Sequence, residues 1–122
     1  EWCNMGAGTS NSNLKNNASD IKVWTPGGPV NIGRKCGVIM GDYSRTAINT
    51  SINTGTVIGV CCNVFGQGLT PKYIPSFSWG CDGPERYRFD KALGDIANWK
   101  ALKRQEVTES EKFILKHIFD HH

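Results

Sequence analysis

Broken every six positions from Met40, residues 40–69 read MGDYSR, TAINTS, INTGTV, IGVCCN and VFGQGL. The leading residues are Met40, Thr46, Ile52, Ile58 and Val64, four of them apolar, and the residues four positions later are Ser44, Thr50, Thr56, Cys62 and Gly68, all small. An earlier segment, Met5-Gly6-Ala7-Gly8-Thr9-Ser10, obeys the same rule. A period of six predicts a parallel coil in which three short strands make one triangular turn of about 18 residues. The bulky residue of each hexad then points into the prism, and the small one fills the narrow space beside it. Corners require positive φ, where Gly, Asn and Asp carry the smallest steric cost; nine of the ten asparagines lie before residue 64, which such corners would explain. The competing reading, a small turn-rich sandwich, predicts period two with polar alternation instead.

Outward from the hexads, the frame is lost between Asn13 and Lys35, where Thr25-Pro26-Gly27-Gly28-Pro29 follows the apolar Ile21-Lys22-Val23-Trp24. Pro and Gly cannot keep a coil in register, so an insertion leaving the prism is expected at about 14–34. The Gly-Gly pair is a weak phosphate loop, with no lysine-serine or lysine-threonine pair after it and no helix opening there. Composition changes near residue 80: the first 80 residues hold nine charged side chains and 12 of the 14 glycines, whereas the remaining 42 hold 16 charges and two glycines. The division expected is a β-helix over 1–80 and a helical tail over 81–122.

In the tail, Phe89, Leu93, Ile96 and Ala97 fall at helical spacing within 89–104. Thr108-Glu109-Ser110-Glu111 fits a capping box opening a second helix, whose apolar side is Ile114, Leu115, Ile118 and Phe119. His117, His121 and His122 read as a helix end or a tag remnant, because a terminal histidine pair has no scaffold to preorganise a metal site; no metal site is expected. Pro71, Pro75 and Pro84 bracket Tyr73, Phe77 and Trp79, which suggests an extended crossing along the prism before the helices cap its end or brace a neighbouring subunit.

The 14 basic and 11 acidic residues are too balanced for a nucleic-acid footprint. No apolar run approaches the roughly 18 residues of a membrane-spanning helix. Cys3, Cys36, Cys61, Cys62 and Cys81 show no CxxC spacing, and reduced thiols in a cytoplasmic protein are expected.

These hexads, together with Met5-Gly6-Ala7-Gly8-Thr9-Ser10-Asn11-Ser12-Asn13 and Met40-Gly41-Asp42, resemble the left-handed parallel β-helix of hexapeptide acyltransferases. The resemblance is to the carboxyl-terminal part of the bifunctional glucosamine-1-phosphate acetyltransferase and N-acetylglucosamine-1-phosphate uridylyltransferase family and to related bacterial sugar nucleotidyltransferases. It implies a mainly β, left-handed β-helix with a carboxyl-terminal α-helical tail, assembled as a homotrimer, with acetyl-CoA in the groove between prisms and an amino sugar phosphate beside it. Asn13 matches a family asparagine at the acceptor or acetyl end of that groove, and Lys35, five residues before Met40-Gly41-Asp42, matches a family lysine and is expected to hold a sugar phosphate by charge. Ala7, Ile48 and Gly66 fall where family backbone groups line the CoA channel. A tyrosine that follows the asparagine in the family is Leu14 here, and the family's general-base histidine has no counterpart in this chain. The nucleotidyltransferase half, with its Mg, would lie upstream, so a fragment of a larger polypeptide is expected and this chain alone would be inactive. Asn13 and Lys35 point to CoA-dependent acetyl transfer; Leu14 and the insertion point to a non-catalytic, trimerising or regulatory β-helix. A carbohydrate- or ice-binding solenoid would need regular Thr-x-Thr ranks, and only Thr54-Gly55-Thr56 resembles one.

Overall fold

The computed structural model describes residues 1–81, 83 and 85–122. Ten two-residue strands precede two helices: β1 Asn4–Met5, β2 Ser10–Asn11, β3 Lys22–Val23, β4 Val30–Asn31, β5 Ile39–Met40, β6 Arg45–Thr46, β7 Ser51–Ile52, β8 Val57–Ile58, β9 Asn63–Val64, β10 Tyr73–Ile74, α1 Phe89–Ala101 and α2 Glu109–His121. Apart from the antiparallel β3–β4 pair, the strands lie in parallel sheets visited in rotation: β1-β6-β9, then β2-β7, then β5-β8-β10. Arg45 pairs with Asn63 and Ile39 with Val57, each 18 positions on, so every third hexad returns to the same face. Short strands in three parallel faces are consistent with a β-helix.

The interior follows from the hexad rule. Ile52, Ile58 and Val64 are buried, and so are the small residues Ser44, Thr50, Thr56 and Cys62. The hydroxyls among them are stabilised by hydrogen bonds that offset their desolvation: Ser44 Oγ donates to the Gly59 carbonyl at 2.6 Å, Thr50 Oγ1 to that of Ala47 at 2.7 Å, and Thr56 Oγ1 to that of Asn53 at 2.8 Å. Gly68, expected inside, is exposed instead, and Thr70 is the buried residue of that turn.

Strands stay two residues long because a left-handed residue recurs every sixth position: Tyr43, Asn49, Gly55 and Cys61 all have φ between 56° and 62°. The asparagine explanation for these corners is therefore corrected, since Asn49 is the one asparagine with positive φ. Tyr43 and Cys61 tolerate the conformation, which costs a non-glycine residue about 1–2 kcal/mol, because tertiary bonds hold it. The Tyr43 N–H donates to the Glu1 carbonyl at 2.9 Å, Cys61 to Asp42 at 2.9 Å and Phe77 to Val60 at 2.8 Å. Trp2, Tyr43, Cys61 and Phe77 thus mark one corner in four successive turns, all at positive φ.

The aromatic run from Tyr73 to Trp79 forms a last coil rather than an extended crossing. Tyr73 pairs with Val57, 16 positions away, because the stretch Thr70-Pro71-Lys72-Tyr73 turns the corner two residues early. Pro84 lies outside the described residues.

The chain then doubles back, and Tyr87 N–H donates to the Phe77 carbonyl at 2.7 Å. Both helices pack along the corner just described, in a core of Cys61, Phe77, Tyr87, Ala92, Ile96 and Leu115 flanked by Tyr43, Val60 and Trp79. The tail therefore lies along the side of the coil, not across its end. Thr108 caps α2 as its sequence predicts, accepting from the Glu111 N–H at 3.1 Å while the Glu111 carboxylate accepts from the Thr108 N–H at 3.3 Å. On the two apolar stripes, Ile96 and Leu115 are buried, but Ala97 and Ile114 face outward and Ala92 takes an inner position.

Candidate functional site

The insertion is tied off at its neck. Cys36 N–H donates to the Asn13 carbonyl at 3.0 Å and the Cys36 carbonyl accepts from Gly55 N–H at 3.0 Å. Between these points the β3–β4 hairpin folds back against the prism, burying Ile21 and Val23. A Cβ on Gly55 would meet Ile21 Cγ2 at 2.6 Å, so glycine at this corner admits the arm as well as the positive φ. Trp24 then stacks on Tyr73 of the last coil, ring centroids 3.6 Å apart and planes within 6°.

This arrangement sorts the expected site residues into two groups. Ala7, Ile48 and Gly66 occupy equivalent positions in three successive coils, two residues beyond the paired Met5, Thr46 and Val64. They form an outward rail along one corner, and Ile48 is 68% exposed. The coils approach closely there: a Cβ on Gly6 would sit 2.5 Å from the Ala47 carbonyl carbon. Asn13 and Lys35 stand exposed at the neck of the insertion, across the β2–β7 face from the rail.

Beside the neck, the coil and the start of the insertion enclose a cleft of about 420 Å³ whose polar walls are Ser12, Lys15, Asn16, Asn53 and Lys72, with Leu14 at its edge. Lys72 donates from Nζ to the Thr54 carbonyl and, at 3.0 Å, to Thr54 Oγ1. Burial, and then the neighbouring Lys15 charge, lower its affinity for the proton. Asn53 Oδ1 accepts from the Thr54 N–H at 2.8 Å, which leaves the Asn53 amide group as a donor. The hexad reading missed Lys15 and Lys72. Lys72 sits where the last coil slips by two residues, and only the proline before it marks the place.

Among the described residues, none from the helical tail lines this cleft. His117 and His121 stack on each other with centroids 4.2 Å apart, and all three histidines are exposed at the end of α2. Among the described residues no group of three or more His, Cys, Asp or Glu is placed to hold a metal ion, and no helix is long and apolar enough to cross a membrane.

This chain combines parallel coils in an 18-residue register with a rail of outward residues and a cationic cleft, and its sequence is similar to two known enzymes. No family model matches the chain. It is 36% identical over 76 residues to the bifunctional protein GlmU of Methanocaldococcus jannaschii, a match covering 62% of this chain and 19% of that protein. It is likewise 36% identical over 66 residues to the bifunctional sugar-1-phosphate nucleotidylyltransferase/acetyltransferase of Sulfurisphaera tokodaii, covering 53% of this chain and 16% of that protein. The chain thus spans under a fifth of the length of the curated relatives it matches. These similarities relate it to transferases of sugar-nucleotide synthesis.

Proposed function

We propose that the chain is the acyltransferase-like, left-handed β-helix of a sugar-nucleotide-synthesising enzyme, transferring an acetyl group from acetyl-CoA to an amino sugar phosphate within a homotrimer. The observation that carries this reading is the 18-residue parallel register, combined with the likeness to two bifunctional nucleotidyltransferase/acetyltransferases. In the reaction, the sugar amine attacks the thioester carbonyl, an amide forms, CoA leaves as its thiol, and a base takes the proton of the amine. The rail of Ala7, Ile48 and Gly66 offers backbone groups and an exposed apolar side chain to the CoA arm. Asn13 supplies a neutral hydrogen-bond donor near the acetyl carbonyl, where negative charge develops. Lys35 supplies a cation for the sugar phosphate. In this reading the base and the Mg-dependent nucleotidyltransferase site would belong to a longer parent protein.

The test is CoA release from acetyl-CoA with glucosamine-1-phosphate and a panel of amino sugars, using the full-length protein in its oligomeric state. Turnover that falls with Asn13→Ala supports the reading. A second reading, in which the β-helix only trimerises or regulates an attached nucleotidyltransferase, is favoured by Leu14, 41% exposed where the family carries a tyrosine. Nucleotidyltransferase activity without acetyl transfer or acetyl-CoA binding would leave that reading standing.

A further inference from the structure

The cleft beside Asn13 has a charge pattern that the acetyl-transfer reading does not use. We propose that it is a subsite for a phosphate monoester, held between the Lys15 and Lys72 ammonium groups. Among the described residues its lining carries two cations and no carboxylate. Like charges brought together in a partly buried place repel, and an anion between them reverses the sign of that interaction. Lys72 is aimed by its two bonds to Thr54, which fix the head of a side chain that would otherwise be mobile. The Asn53 amide is turned the same way in a chemical sense: its oxygen is engaged by the Thr54 N–H, so its nitrogen is the group left to donate. A phosphate dianion accepts hydrogen bonds and offers few in return, so a wall of ammonium and amide donors suits it. At about 420 Å³ the space also takes the carrier of the phosphate, which would rest on Leu14 and Leu69. Lys35 does not line this cleft, so the subsite is separate from the phosphate contact proposed above.

Under the proposed function two molecules carry such a group, the amino sugar phosphate and the 3′-phosphate of CoA. The choice of carrier rests on that reading; the binding of phosphate does not. The experiment is calorimetric titration of the full chain, at constant ionic strength, with inorganic phosphate, glucosamine-1-phosphate, glucosamine, CoA and 3′-dephospho-CoA. The wild-type protein should bind at least one phosphate-bearing probe and lose that binding when its monoester is absent. Lys15→Gln and Lys72→Gln should each weaken it about tenfold or more, as loss of one charge-assisted contact does, while Lys22→Gln on the hairpin leaves it unchanged. If Lys72→Gln, which also breaks the Thr54 bonds, fails to fold, Lys15→Gln carries the test alone. Loss confined to glucosamine-1-phosphate identifies the sugar as carrier, and loss confined to CoA identifies the coenzyme. Binding insensitive to Lys15→Gln, or no binding of any phosphate probe, overturns the proposal. Phosphate binding by a full-length protein that neither transfers acetyl groups nor binds acetyl-CoA would sink the acetyltransferase reading and leave the subsite intact.

Discussion

Lys100 Nζ lies 2.5 Å from Glu111 Oε2, and the Tyr43 hydroxyl donates to that same oxygen at 2.5 Å. One carboxylate therefore joins α1, α2 and the corner of the coil, while its other oxygen serves the cap of α2. Lys100 also sits 5.7 Å from the ring centres of both Trp2 and Tyr43, where the faces of the rings favour a cation. The lysine side chain is 5% exposed, so the pair is a buried tie rather than a surface one.

Breaking this tie from the acidic side should be costly. Glu111→Gln keeps the shape of the cap but leaves a buried ammonium without its carboxylate, and should lower unfolding stability at pH 7 by about 3 kcal/mol. Lys100→Met should cost less, because the Glu111 carboxylate left behind has some access to water. Urea melts followed by tryptophan fluorescence check both; equal, negligible losses would contradict a buried tie.

The same pair sets a pH dependence at both extremes. Hydrogen bonds from Lys100 and then Tyr43 hold the Glu111 carboxyl down at about 2, from an ordinary value of 4.5. Its contribution is thus present above pH 4.5 and is lost as pH falls toward 2. Burial opposes the charge on Lys100, but the bonds to Glu111 and Tyr43 outweigh it and raise its proton affinity above the usual 10.5. That contribution is complete below pH 10.5 and is lost as pH rises through the folded-state value. The stability gap between wild type and Glu111→Gln should therefore be flat near neutrality and close below pH 3, measured by urea melts across that range.

The insertion arm is held at one end by a stacked pair, so it should come loose without unfolding the coil. Trp24→Ala removes the contact with Tyr73, worth about 1 kcal/mol beyond the area it buries. Hydrogen exchange should accelerate at Lys22–Val23 and Val30–Asn31 and stay unchanged at Asn63–Val64. Exchange that accelerates equally in both places would show that the arm and the coil open as one unit.

How far these features were legible in the residues depends on whether they repeat. Ile52, Ile58 and Val64 announce the coil because each adds the same contact six positions after the last. Thr108 and Glu111 announce the second helix because a capping box is local. The last coil is hidden by the two-residue slip before Tyr73, which carries Lys72 out of frame. Lys100–Glu111, Trp24–Tyr73 and the corner column from Trp2 to Phe77 join residues distant in sequence through contacts that no local pattern encodes. The rail of Ala7, Ile48 and Gly66 came from resemblance, and the register brings those three together; Asn13 and Lys35 came the same way and stand at a different corner.

Close packing between turns gives a sharper stability test than the hydrophobic core alone. A Cβ on Gly59 would lie 2.5 Å from both the backbone nitrogen and the Oγ of Ser76, and backbone cannot rotate aside. Gly59→Ala should therefore cost about 2–3 kcal/mol through overpacking, although it adds one methyl group. Gly94→Ala, in an open position on α1, should be neutral or slightly stabilising. Thermal melts of the two variants separate the effects.

The five thiols should differ in reactivity by burial. Burial raises the Cys61 thiol to about 12, and the neighbouring Cys62 adds to the shift; burial raises Cys62 as well. Neither forms thiolate near neutral pH, and thiolate is the reactive species. Cys3, by contrast, is exposed. Iodoacetamide labelling at pH 8 followed by peptide mass mapping should modify Cys3 in the native protein and reach Cys61 and Cys62 only after denaturation. Labelling of Cys61 at the rate of Cys3 in the native state would mean that the α1–α2 tail leaves its corner, since Cys61 lies in the core that those helices close.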